Sequence, residues 1–142
     1  MSVIIHYEGQ LHSHLAFSKM LDILQAFTIK NRMDYFEFEN RCNSMLRSRK
    51  GKLFEYTGPT KGIIIYPGFC CEMLLLEFDQ TFFVEGGCET QYADISIHIR
   101  IIELLQQIES CFSYLLVQDE GEYWEKKDKL LLQSRLNQMR PV

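Results

Sequence analysis

The sequence predicts an α+β fold: a single two-layer domain, with a mostly antiparallel or mixed sheet and helices packed on one face. Three observations carry this. Short stretches of period-two alternation recur along the chain. Amphipathic helical patterns follow the first and the later strands. The order, β-α-β-loop-β-β-β-α-β-α, lacks the βαβα alternation of a parallel sheet. With no internal repeat and no change of composition, residues 1–142 read as one domain.

Val3 to Glu8 reads as a strand, with Val3, Ile5 and Tyr7 on one face and Ile4, His6 and Glu8 on the other. Ser13 is the expected N-cap of a helix over Ala16–Lys30, where Phe17, Met20, Leu21, Leu24 and Phe27 form the apolar stripe. Asp34–Glu39 alternates again and predicts Phe36 and Phe38 toward the core. From Asn40 to Lys52 the chain is polar and basic with no acid, which predicts a flexible loop. Leu53–Tyr56 fits either a short strand or a turn of helix. Gly62–Tyr66, β-branched and closed by Pro67-Gly68, predicts a central strand buried on both faces. Glu72–Phe78 and Thr81–Glu85 read as a hairpin turning at Asp79-Gln80, with Gly86-Gly87 ending or bulging its second strand.

Asp94 is the expected cap of a second helix to Ser110. Ser96, Arg100, Glu103, Gln107 and Ser110 make one polar stripe, opposite Ile97, Ile101, Leu104, Leu105 and Ile108. Ser113–Gln118 is the last strand. A third helix is expected from Trp124 or Glu125 to Gln138, lined by Leu132, Leu136 and Met139.

The totals are those of an ordinary globular protein: 46% hydrophobic, 13% aromatic and 24% charged residues. A formal net charge of −4 argues against a nucleic-acid-binding polycation. No run approaches the roughly 20 apolar residues of a membrane helix. The N-terminus lacks a basic region and a small-residue cleavage site, so a cytoplasmic location is expected. Five cysteines without a CxxC read as structural thiols rather than a disulfide framework. No cofactor motif and no metal set is present in the spacing.

One local cluster could carry chemistry: Asp119, Glu120, Glu122 and Glu125, with Tyr123 and Trp124 among them. Such carboxylates can hold a hard cation, and one with a raised pKa can act as a general acid. Tyr and Trp beside them offer an anchoring surface. The spacing fails the EF-hand pattern, and the simpler reading is a turn at Gly121 with acids decorating a helix start. His98 falls on the apolar side of its helix, so it is either a buried neutral ring with one hydrogen-bond partner or a site residue. At about 3.3 Å per residue, His6 and His14 would lie roughly 26 Å apart in a strand, too far to share a metal. His12 and His14 could share one, but no carboxylate or cysteine near them in sequence completes a set, and they read as a solvated turn. Arg47, Arg49, Lys50 and Lys52 in the basic loop could attract phosphate, with Phe36, Phe38, Phe54 and Tyr56 near by. The acidic whole weighs against nucleic acid.

The tracts Leu74–Asp79, Thr90–Asp94 and Val117–Glu125 resemble small uncharacterised bacterial α+β proteins over the second half of the chain. That resemblance implies a bacterial cytosolic protein and brings no activity and no site residues with it. The leading expectation is a non-enzymatic interaction or regulatory module, of inhibitor or immunity type, binding another protein. The alternatives are a small enzyme or ligand-binding protein with a pocket near Glu120, Glu122 and His98, and a nucleic-acid-binding module using residues 41–52. Strand edges at Thr81–Glu85 or Asp34–Glu39 are candidate homodimer contacts.

Overall fold

A computed structural model describes residues 2–140; the side chain of Met139 lies outside the described residues. The fold is α+β, as the patterning predicts. Its strands are β1 (Ile4–Leu11), β2 (Asp34–Arg49), β3 (Lys52–Tyr66), β4 (Leu74–Phe78), β5 (Phe83–Glu89) and β6 (Phe112–Asp119). They form two three-stranded antiparallel sheets, ordered β5-β1-β6 and β2-β3-β4. The helices are α1 (His14–Lys30), α2 (Ile95–Ile108), α3 (Tyr123–Lys126) and α4 (Lys129–Met139). No helix among the described residues is long and apolar enough to cross a membrane.

Both helix starts follow from their caps. The Ser13 hydroxyl accepts the Ala16 N–H at 3.2 Å, and the Asp94 carboxylate accepts the Ser96 N–H at 3.0 Å. Phe17, Met20, Leu24 and Phe27 of α1 and Ile97, Ile101, Leu104, Leu105 and Ile108 of α2 are buried, as their stripes require. They join the inner faces of both sheets in one continuous core. Phe78 of β4 sits at its middle, edge-on to Phe17 of α1 at 5.6 Å and tilted against Phe112 of β6 at 6.3 Å. The expected third helix is broken: Lys127, at φ +54°, separates α3 from α4.

The largest departure from the sequence reading is the basic stretch. Residues 41–52 are not a loop but the distal half of a long β2–β3 hairpin, turned by Lys50 and Gly51 at φ +49° and +83°. Leu53–Tyr56 is strand. Of the apolar run in β3, Ile63 and Ile65 are buried while Ile64 is only partly so, so one face rather than both faces the core. Phe36 stands beside Ile64 and Leu75 in one rung on the outer face of the sheet and is 62% exposed. Its neighbours Tyr35 and Glu37 take the inward side of β2, and Phe38 is half-buried on the outer one. Period-two alternation fixes which residues share a face, not which face is inward.

β5 does not stop at Gly86-Gly87 but continues to Glu89. A Cβ at Gly86 would stand 2.7 Å from the Tyr7 hydroxyl, so this position must lack one.

The predicted hairpin of β4 and β5 exists only as its turn. The two strands diverge into different sheets, β4 onto β3 and β5 onto β1. Arg47 fills the seam. Its guanidinium is 3% exposed and donates to the carbonyls of Phe83 (2.9 Å) and Glu77 (2.8 Å), one on each strand. It lies 3.6 Å from the Asp79 carboxylate and packs on the Phe83 ring. Asp79 in turn accepts from the Thr81 N–H, the Thr81 hydroxyl and the Phe83 N–H. Further along, the Tyr7 hydroxyl donates to the Leu75 carbonyl at 2.5 Å. Burial raises the Tyr7 pKa far above the phenol range, so it remains a donor.

Removing the cation leaves the buried Asp79 carboxylate without its counter-charge and takes the guanidinium donors from the Glu77 and Phe83 carbonyls, although Phe83 keeps the Asp79 N–H. Arg47→Ala is expected to cost about 3–5 kcal/mol in urea unfolding. A loss under about 1 kcal/mol would show that the seam does not depend on this side chain.

Candidate functional site

The acidic segment begins where β6 ends, and its first residue turns inward. Asp119 is buried and both its oxygens lie against His98 Nε2, at 3.0 and 3.1 Å. On the far side of the ring, Nδ1 meets the Thr90 hydroxyl at 2.6 Å. An ionised carboxylate only accepts, so Nε2 carries a proton. Thr90 then donates to Nδ1 of the neutral ring or accepts from that of the cation. Gly121 lies over the ring: a Cβ there would fall 2.5 Å from Leu132 and 3.1 Å from the imidazole.

Asp119 also accepts the N–H groups of Gly121, Tyr123 and Trp124, at 2.8, 2.9 and 3.0 Å. It therefore folds residues 119–126 into a turn and the short α3. Thr90, His98 and Asp119 have the order of a nucleophile–base–acid set, but all three are buried and each is spent on its neighbours. The arrangement is a clamp between α2 and the segment after β6, and His98 cannot touch a ligand.

The remaining acids differ in what they are committed to. Glu120 accepts the Ile4 N–H at 2.7 Å and lies 3.7 Å from His6 Nε2. Glu122, at φ +61°, pairs with Lys126 at 3.0 Å and with Arg135. Those two hydrogen bonds, to Lys126 and then Arg135, hold its carboxyl below the ordinary range. Glu125 stays exposed. Tyr123 and Trp124 pack partly onto the core, with the Lys127 ammonium 5.8 and 5.5 Å from their rings.

The outer face of the first sheet brings these acids opposite the hairpin tip. That tip arches over the sheet: the Lys50 N–H donates to Glu8 at 2.9 Å and the Ser48 N–H to Glu85 at 3.4 Å. The Arg49 guanidinium stacks on Phe83 at 4.1 Å, and the Lys50 ammonium on Tyr114 at 4.9 Å. Two adjoining hollows remain, about 360 Å³ beside the tip and about 450 Å³ beside α3. They share His6 and Gln118, a directly paired rung of β1 and β6. Glu8 and Glu85 line one, and Asp119, Glu120, Glu122 and Glu125 the other, against only Lys50 and Lys126. The result is an acidic groove floored by sheet.

The structure thus brings Glu120, Glu122, Glu125 and Lys50 to one groove. It buries His98, Asp119 and Arg47, leaves Arg49 partly exposed against the Phe83 ring, and leaves Lys52 exposed at the tip. His6, read from sequence on the strand face shared with Ile4 and Glu8, is the exposed floor residue. Its place on the face opposite Ile5 and Tyr7 was the available signal. His14, read as part of a solvated turn, meets Lys61 Nζ at 3.2 Å on the other side of the fold. Among the described residues no three His, Cys, Asp or Glu side chains converge as metal ligands. The Thr81–Glu85 edge is covered by the seam with β4, whereas β2 is the outer strand of its sheet along Asp34–Glu39.

Comparisons of the chain with protein-family models, with curated proteins and with solved structures found no match.

The clamp has a pH signature. Burial alone raises the Asp119 pKa, but the His98 hydrogen bond and charge and the backbone donors outweigh it, and the carboxyl is held below its ordinary value. A folded value below the unfolded one, about 3.9, means the contribution is complete above that pH and is lost as pH falls through the folded value. Asp119→Asn is expected to cost about 1–3 kcal/mol at neutral pH, with the gap to wild type narrowing in acid. A gap unchanged down to pH about 2.5 would contradict the assignment.

Proposed function

We propose that this chain is a non-enzymatic interaction module whose acidic groove takes a basic segment of a partner protein. The observation that carries the reading is the groove itself: six acidic residues, one of them the buried Asp119, and two lysines line a sheet floor marked by His6 and Gln118. A net acidic concavity attracts Lys and Arg side chains and steers their approach. The half-exposed Leu116 on the floor gives an apolar contact for their methylene stems.

The enzyme reading loses its acid–base set, because His98 and Asp119 are sealed and Glu122 is neutralised by Lys126 and Arg135. The nucleic-acid reading loses most of its charge, because Arg47 is buried and Arg49 lies on Phe83. A second reading, self-association through the second sheet, has its own support. Phe36, Ile64 and Leu75 form an apolar outer rung next to the open β2 edge. Sedimentation that stays monomeric at the highest attainable concentration would end it.

Selection of a random peptide library on the purified chain tests the main reading. Enriched peptides are expected to be rich in Lys and Arg and to bind less well as salt rises. The Glu120→Gln/Glu125→Lys variant should weaken them by about tenfold or more, while Glu120→Gln keeps the acceptor for the Ile4 N–H. Peptides without basic residues, or binding that ignores the double substitution, would overturn it.

A further inference from the structure

We propose that Cys71 and Cys88 form a thiol–disulfide exchange site, in which oxidation by a low-molecular-weight disulfide staples the segment before β4 to strand β5. Their sulfurs are 4.0 Å apart, on either side of the seam between the two sheets. Cys88 is fully buried on β5 opposite Ile5, and Cys71 is half-buried in the segment that follows Pro67. The Cys71 thiol lies 3.6 Å from the Glu89 carbonyl and the Cys88 thiol 3.5 Å from the Glu72 carbonyl.

The backbone on both sides is already pinned in place. The Glu72 N–H donates to the Glu89 carbonyl at 3.3 Å, and the Glu89 N–H donates to the Glu72 carboxylate at 2.7 Å. A disulfide needs sulfurs about 2.05 Å apart, so the pair must close by about 2 Å. Side-chain rotation in a segment outside helix and strand can supply that movement. No other pair of the five cysteines makes a thiol–thiol contact among the described residues.

The two thiols are also chemically unequal. The hydrogen bond from Cys88 holds the Cys71 thiol below its ordinary pKa, whereas that bond and then burial push Cys88 up. Cys71, half-exposed and the better thiolate, is the attacking sulfur. It attacks one sulfur of the small disulfide, forming a mixed disulfide and releasing one thiolate. Cys88 then loses its proton to that released thiolate and attacks the Cys71 sulfur, expelling the second small thiol. Two protein thiols are oxidised and one disulfide is reduced to two thiols.

The test is intact mass spectrometry of the native 142-residue chain equilibrated with glutathione disulfide, then alkylated, with the bridged peptides mapped. The expected product has lost about 2 Da, with Cys71 and Cys88 in the linked peptides. The exposed Cys70 is dispensable, so Cys70→Ser should show the same loss, whereas Cys71→Ser and Cys88→Ser should not. Because Cys88→Ser disturbs a buried site, Cys71→Ser is the deciding variant. Glutathione adducts of about 305 Da with no loss of 2 Da would overturn the proposal. So would a bridge that persists in Cys71→Ser or disappears in Cys70→Ser.

Discussion

A single buried guanidinium holds two sheets together where their ladders part. β4 and β5 are consecutive strands that leave one turn in different sheets, and Arg47 donates to the Glu77 carbonyl on one and to the Phe83 carbonyl on the other, the latter also accepting the Asp79 N–H. A planar fork of N–H groups meets one carbonyl from each strand at once. Asp79 supplies the counter-charge and ties down the turn that makes the strands diverge. The hairpin that delivers Arg47 across the seam also places its tip over the outer face of the first sheet. The core seam and the groove wall are thus set by one long β2–β3 ribbon.

The acidic segment is organised by the same logic at the other end of the sheet. Asp119 is not a surface acid but the internal anchor of its own turn, fixed by His98 from α2 and by three N–H groups. Anchoring one carboxylate lets Glu120 and Glu125 project at the groove, while Arg135 and Lys126 restrain Glu122. A loop can display like charges at close spacing only if part of its charge is compensated, and two left-handed residues, Glu122 and Lys127, show how tightly this one is wound.

What could be read from the sequence was what depends on near neighbours. The caps at Ser13 and Asp94, the polar stripe of α2, strand β6 and the apolar setting of His98 are all decided within a few residues. What could not be read depends on distant ones. Arg47 meets its carbonyl partners 30 and 36 residues away, and nothing local separates it from a solvated arginine. The distal hairpin carries few apolar residues because its inner face is covered by arginine stems and the first sheet, so its alternation was polar and read as a loop. The groove escaped for a related reason: its walls come from β6 to α3 and from the β2–β3 turn, which only the fold brings together.

The seam makes the two sheets one cooperative unit, and the hairpin that crosses it walls the groove. Native-state hydrogen exchange tests this directly, by comparing the slowest amides of β1 and β6 with those of β3 and β4 as denaturant rises. If the seam couples them, both sets open with the same free energy and the same denaturant dependence, that of global unfolding. A β2-β3-β4 sheet that opens first, at a free energy several kcal/mol lower, would mean that Arg47 links two independent units rather than completing one.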